Sequence, residues 1–184
     1  MLYSSRTVQI RRRRLPHWTA DRGTYFLTFR LADALSNELA LRITARKRRS
    51  ALIQRFLDRS DGRCWLRDQR VAAMVDRAIR FFDGERYVLH AWTIMPNHVH
   101  VAFRTLGAFT LSQVAHTWKS YTALQANKTL GRQGRFWQTE SHDSLIHDQH
   151  DLDRVIAYIV ANPVKAHLID WSWTTVLRTE FSPV

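Results

Sequence analysis

The chain has 184 residues, of which 45% are hydrophobic and 11% aromatic, enough for one domain with a substantial core. Lys and Arg number 28 against 16 Asp and Glu, a formal net charge of +12, and arginine dominates because lysine occurs only at 47, 119, 128 and 165. No apolar run is long enough for a membrane span, no apolar signal core accompanies the basic N-terminus, and the single cysteine, Cys64, excludes an intrachain disulfide. A reducing cytoplasm is the simplest home. The charge points to a polyanion, and guanidinium groups with aromatics suit nucleic acid with unpaired bases.

In chain order, Arg11-Arg12-Arg13-Arg14 reads either as a solvated tail or as a phosphate-binding arm. Thr24 to Leu31 is rich in aromatic and β-favouring residues and predicts a first strand. Ser36 is a plausible N-cap for a basic helix from Asn37 to about Arg59, broken at Asp61-Gly62. Val71, Met74, Val75, Ala78, Ile79 and Phe82 recur at three- and four-residue steps, so Asp68 to Phe82 is a second helix, ended by Asp83-Gly84. Tyr87 to Ile94 and Val99 to Phe103 read as paired strands around the Met95-Pro96-Asn97 turn. Leu111 to Asn127 is a third helix, and Gly131 and Gly134 punctuate a loop. Phe136 to Ile146 contains a further strand. Asp151 to Ala161 is a fourth helix, stopped by Asn162-Pro163. The tail with Trp171 and Trp173 resists assignment. The pattern is α+β, with an antiparallel sheet and helices packed on one face.

His98-Val99-His100 is the most informative stretch. Side chains two apart on a strand share a face, so both imidazoles can grip one metal ion. The bland alternative is a pair of half-buried histidines. On the third helix Tyr121 and Gln125 are four apart and share a helical face, with Lys119 nearby. A tyrosine phenol can attack phosphorus when a cation or base activates it, and an amide oxygen at Gln125 would complete a two-histidine, one-oxygen set suited to Mg²⁺ or Mn²⁺. The alternative for Tyr121 is an ordinary boundary tyrosine. His142, His147 and His150 fit a zinc site only weakly and read better as polar loop residues, although His142 sits between Glu140 and Asp143 where it could aid proton transfer. Gly131-Arg132-Gln133-Gly134-Arg135 lacks the Lys-Ser/Thr ending of a P-loop.

Met95-Pro96-Asn97-His98-Val99-His100-Val101 resembles the His-hydrophobic-His signature of the HUH single-strand DNA nucleases. Trp118-Lys119-Ser120-Tyr121 with Gln125 resembles the nucleophile helix of their single-tyrosine transposases. Leu15-Pro16-His17-Trp18, Tyr25 to Arg30, Phe136-Trp137-Gln138, Tyr158-Ile159 and Asn162-Pro163-Val164-Lys165-Ala166 are similar, in order, to REP-associated tyrosine transposases.

The resemblance implies a single ferredoxin-like, HUH-type domain over residues 1–184, with a basic arm at about 1–15 and a C-terminal extension at about 165–184. It implies His98, His100 and Gln125 as ligands of Mg²⁺ or Mn²⁺, with Asn127 as the substitute if the register is off by a turn, and Tyr121 as nucleophile. The expected activity is cleavage and rejoining of single-stranded DNA beside a hairpin in repetitive extragenic palindromes, through a 5′-phosphotyrosine and without a nucleotide cofactor. The residues expected to grip DNA are Arg11, Arg12, Arg13, Arg14, Arg30, Arg104, Lys119, Arg132 and Arg135. A monomer is favoured over a dimer, in the bacterial cytoplasm at the nucleoid, with no membrane partner. The competing readings are a non-catalytic hairpin-binding relative and a hydrolase in which water attacks.

Overall fold

The computed structural model describes residues 9–12, 16–19, 22–34 and 62–182. Arg13, Arg14 and the expected helix from Asn37 to about Arg59 lie outside the described residues. Strands β1 (Gln9–Arg12) and β2 (Pro16–Thr19) pair antiparallel, with Arg11 opposite His17. The stretch read as a basic arm therefore includes one strand of a two-stranded ribbon.

The main sheet contains β3 (Thr24–Arg30), β4 (Tyr87–Ile94), β5 (His98–Thr105), β6 (His142–Ile146) and β7 (Thr174–Val176), all paired antiparallel in the order β6-β3-β5-β4-β7. The first four strands stand in the fourth-first-third-second order of a ferredoxin-like sheet, as expected. The tail that resisted assignment supplies the fifth. Too short to announce itself by alternation, β7 is held by its neighbours: Trp171 Nε1–H donates to the Ile94 carbonyl at 2.7 Å, and the Ile94 amide donates to the Trp173 carbonyl at 2.9 Å.

Helices α1 (Gln69–Arg80) and α2 (Leu111–Thr129) start at side-chain caps. Asp68 accepts from the Arg70 amide at 2.9 Å, and Thr110 and Gln113 form a reciprocal capping box. Both helices cover one sheet face. On β5 it is Val99, Val101 and Phe103 that point there, joining Val71, Val75 and Ile79 of α1 and Leu111, Val114 and Trp118 of α2. Trp118 is fully buried; its Nε1–H donates to Tyr87 Oη at 3.0 Å, and Tyr87 in turn donates to the Ile79 carbonyl at 2.7 Å. One indole thus ties α2, β4 and α1 together.

The third helix, α3 (Gln149–Lys165), departs from the expected one-face arrangement. Leu152 and Ile159, with Val155 and Ile156, pack against Ala91, Ala102 and Phe26 on the opposite face. It also runs past its expected stop. Pro163 lies inside the helix and is buried, so the structure sacrifices the one hydrogen bond that proline cannot donate. The actual terminus is a left-handed residue, His167 at φ 53°, closed by Leu168 N–H to the Pro163 carbonyl at 2.9 Å and His167 N–H to the Val164 carbonyl at 3.0 Å. That is the Schellman arrangement, which needs no glycine when local bonds hold the turn.

Trp118→Ala removes a buried ring and its hydrogen bond to Tyr87, and should lower stability by about 3–5 kcal/mol. Urea unfolding monitored by circular dichroism checks this; a loss below about 1 kcal/mol would show that the indole is not the tie described.

Candidate active site

The opposite side of β5 carries His98, His100 and Ala102. Cross-strand register arranges its neighbours into transverse rows. One row runs across all five strands: His142, Thr28, His100, Thr93 and Thr174. Beside it, Arg30 stands opposite His98. On the other side, Ser144, Phe26, Ala102, Ala91 and Val176 make a largely apolar row on which α3 rests. The polar positions are thus concentrated at one end of this face.

Both histidines are completely buried, and their Nε2 atoms are 3.0 Å apart. Their other ring nitrogens are held from behind. His98 Nδ1–H donates to Asn97 Oδ1 at 2.7 Å, and His100 Nδ1 is hydrogen-bonded to Thr28 Oγ1 at 2.7 Å. Asn97 belongs to the turn joining β4 to β5, where the Met95 amide donates to the His98 carbonyl at 2.8 Å. Such partners at Nδ1 fix ring orientation and turn the two Nε2 atoms toward each other. Burial pushes the His98 pKa down to about 3, with Arg30 adding to the effect, and lowers that of His100 well below its ordinary value, helped by the charges of His98 and His142. At neutral pH both imidazoles are uncharged.

Two nitrogens each about 2.1 Å from one ion and at right angles to each other would lie about 3.0 Å apart, so the pair has the spacing of adjacent ligands in an octahedral shell. Among the described residues no cluster of three His, Cys, Asp or Glu could hold a metal. From the described residues, a third ligand beside the two imidazoles would have to be an amide or a hydroxyl.

Helix α3 supplies the groups that face the pair. The Tyr158 ring lies 5.3 Å from the His100 ring and 5.7 Å from Phe26, edge-on to both. Phe26 itself stacks on His100 at 5.3 Å. Asn162, one turn after Tyr158, is 1% exposed, and both its side-chain amide atoms are buried with no hydrogen-bond partner among the described residues. A buried amide without partners costs stability unless something completes it. Lys165 follows on the same stripe, with Nζ 5.3 Å from the Tyr158 ring centre.

The expected nucleophile helix lies elsewhere. Trp118, Thr122 and Ala126 turn α2 toward the core on the far sheet face, and Tyr121 is 51% exposed, so the sheet separates it from the histidines. Gln125 goes with it. The amide of Asn127, the alternative ligand, donates to the Gly134 carbonyl at 2.8 Å. Tyr121 and Gln125 are thus corrected: they form an outward-facing pair away from the metal-competent imidazoles. Tyr158 and Asn162 have the same four-residue spacing on the helix that packs on the histidine side of the sheet.

The expected DNA-gripping residues also separate. Arg30 is at the site, its Nε–H donating to Gln138 Oε1 at 2.6 Å. Lys119 is withdrawn from phosphate: its Nζ donates to the Thr139 carbonyl at 2.9 Å and to Ser141 Oγ at 3.1 Å, and burial lowers its pKa to about 8 against the opposing charge of Glu140. Arg132 stacks between Trp65 and Phe136 and donates to the Arg135 carbonyl at 3.2 Å, while Arg135 is exposed. Arg104 shares the histidine face but lies four residues from His100, about 13 Å along the strand. The side chains of Arg11 and Arg12, like Arg13 and Arg14, are outside the described residues. His142 is exposed in the polar row, whereas His147 and His150 are exposed beyond the end of β6.

The sequence carries a signal for which helix faces the histidines. Crossovers between parallel strands of one sheet are right-handed, so the two βαβ helices fall on one face and take the most apolar side of β5. That side is Val99, Val101 and Phe103. The histidines must then face whatever follows β6, which makes the tyrosine and amide of α3 the relevant pair.

No curated protein matches the chain significantly. The solved structure of a REP-associated tyrosine transposase bound to a REP hairpin is similar to it, with 16% identity, a TM-score of 0.55, and coverage of 100% of this chain and 93% of that one. A Deinococcus radiodurans R1 protein assigned as a transposase has 14% identity and a TM-score of 0.39, covering 76% of this chain and 89% of its own. The family described as "Transposase IS200 like" matches residues 64–162, more than half of the chain, from just before α1 to Asn162, so the histidine pair and most of α3 fall inside the match. The chain belongs to the IS200-like transposase family.

Proposed function

We propose that this chain is a metal-dependent strand transferase acting on single-stranded DNA beside a hairpin, with Tyr158 as nucleophile and His98, His100 and Asn162 as the ligands of Mg²⁺ or Mn²⁺. The observation that carries the reading is a pair of neutral imidazoles with a tyrosine ring packed against one of them, and, one helical turn after that tyrosine, a buried amide with no partner among the described residues. The hairpin class of substrate rests on the fold shared with the REP-hairpin-bound transposase. An ion held there would supply Lewis-acid polarisation of a phosphodiester oxygen.

The chain's own residues supply the rest. Tyr158 Oη attacks phosphorus, a Tyr158 O–P bond forms, the P–O3′ bond breaks, and the phenolic proton ends on the departing 3′-oxygen. Lys165 stands by the ring as the cation that favours the phenolate. The ester energy is retained in the phosphotyrosine, so a 3′-hydroxyl can reverse the step without a nucleotide cofactor. Asn97 and Thr28 hold the imidazoles in place. The basic surface supports binding to the DNA backbone, with a strong salt dependence.

Incubation of a labelled REP-type hairpin oligonucleotide with Mn²⁺, followed by a denaturing gel, tests the nucleophile. Wild type and Tyr121→Phe should form a covalent adduct, and Tyr158→Phe should form none while still binding the DNA. An adduct in Tyr158→Phe that is lost in Tyr121→Phe would reverse the assignment.

Metal affinity offers a second test. Asn162→Ala should weaken Mn²⁺ binding about 10-fold or more, and His100→Ala should weaken it further, as read by calorimetry. An unchanged affinity in Asn162→Ala would remove it from the ligand set.

The pH dependence has a defined sign. Unfolded imidazoles take up protons near pH 6.5, whereas His98 in the folded chain does so only near 3 and His100 well below its ordinary value. Protons therefore favour the unfolded state, and metal-free protein should lose stability as pH falls from about 6.5 toward 3, with no gain from this source above 7. Buried His90 adds in the same direction. Urea midpoints in chelator at pH 7.5 and 5 would show it, and His100→Gln should flatten the slope.

A further inference from the structure

Among the described residues, Arg30 is the only arginine whose cross-strand partner is one of the two histidines, and its environment is built rather than incidental. Register sets it directly opposite His98, on the same sheet face, where Cβ atoms of facing residues lie about 4.5–5.5 Å apart. Its charge acts on the His98 ring. The segment after Trp137 clamps it at two points: the Gln138 amide donates to the Arg30 carbonyl at 2.9 Å, and Gln138 Oε1 accepts from Arg30 Nε–H at 2.6 Å. A bond at Nε fixes the plane of a guanidinium, the geometry that matches the oxygens of a phosphate.

The side of the histidine pair on which Arg30 stands is informative. Tyr158 touches Phe26 and His100, toward the apolar row. Arg30 stands beside His98, at the other end of the pair. In an in-line displacement the nucleophile and the leaving group occupy opposite sides of phosphorus. We propose that Arg30 is a catalytic residue that stabilises the departing 3′-oxygen, and that Gln138 is the positioning residue that holds its guanidinium there. The proposal rests on the nucleophile reading for Tyr158. The chemistry is unchanged: the Tyr158 O–P bond forms, the P–O3′ bond breaks, the phenolic proton ends on the 3′-oxygen, and Arg30 keeps its own protons and contributes charge alone.

A substrate with a sulfur leaving atom isolates this role, because a thiolate departs with little need of stabilisation. The experiment compares the hairpin oligonucleotide with the same strand carrying a 3′-bridging phosphorothiolate at the cleaved linkage, using the full chain and Mn²⁺. Arg30→Gln should slow adduct formation about 10²–10³-fold on the oxygen substrate and less than about 10-fold on the sulfur substrate. Arg30→Lys should retain part of the rate, and Gln138→Leu should show a weaker defect with the same sulfur rescue. Calorimetric Mn²⁺ affinity of Arg30→Gln should stay within about threefold of wild type. An equal defect on both substrates, no defect on either, or a defect that follows lost Mn²⁺ affinity would overturn the role of Arg30 while leaving Tyr158 in place. Absence of any wild-type adduct on both substrates would overturn the nucleophile reading and the Arg30 role with it.

Discussion

The alternation of one β-strand governs the rest of this structure. On β5, odd-numbered side chains go into the core under α1 and α2, and even-numbered ones face α3. A slip of one residue in the pairing of β5 would put His98 and His100 into the aromatic core and expel Val99, Val101 and Phe103. Burial of Phe103 against Tyr87 and Trp118, with ring centres 5.9 and 5.0 Å away, makes that slip costly. The hydrophobic core therefore does more than stabilise the fold: it fixes the register that brings two imidazoles together on the opposite side.

Placing two histidines in a dry site has a cost that the structure manages locally. Desolvation keeps them neutral, and each has a hydrogen-bond partner at Nδ1. A charged carboxylate buried beside them would raise the desolvation cost further; a neutral amide does not. Asn162 suits that requirement, and it comes from a helix whose other inward residues are apolar. The same surface is thus apolar under the first half of α3 and polar under its last turns.

Much of the architecture was legible from local pattern. The spacing of Val71, Met74, Val75 and Ile79 located α1 to within a residue or two, and Met95-Pro96-Asn97 located the turn before the histidines. What local pattern could not reveal was the sheet face on which each helix lies. Tyr121 with Gln125 and Tyr158 with Asn162 are equivalent as spacings; topology alone distinguishes them. The stop expected at Asn162-Pro163 failed for a related reason, since proline propensity yields to tertiary packing when the residue is buried and only one bond is lost. Strand β7, three residues long, is defined by pairing with β4 rather than by anything in Thr174–Val176 itself.

Pro163 has a mechanical consequence. It offers no N–H to the carbonyl of Ile159, so the backbone ladder of α3 has a missing rung immediately behind the stripe of Tyr158, Asn162 and Lys165. Beyond that gap the helix is tied off again by the bonds from His167 and Leu168. The last turn is therefore a short lever on a soft joint, fixed at its tip and compliant at its root. Asn162 precedes the gap and stays on the same unbroken turn as Tyr158, whereas Lys165 lies past it, joined to that turn by one backbone bond fewer than in an ordinary helix.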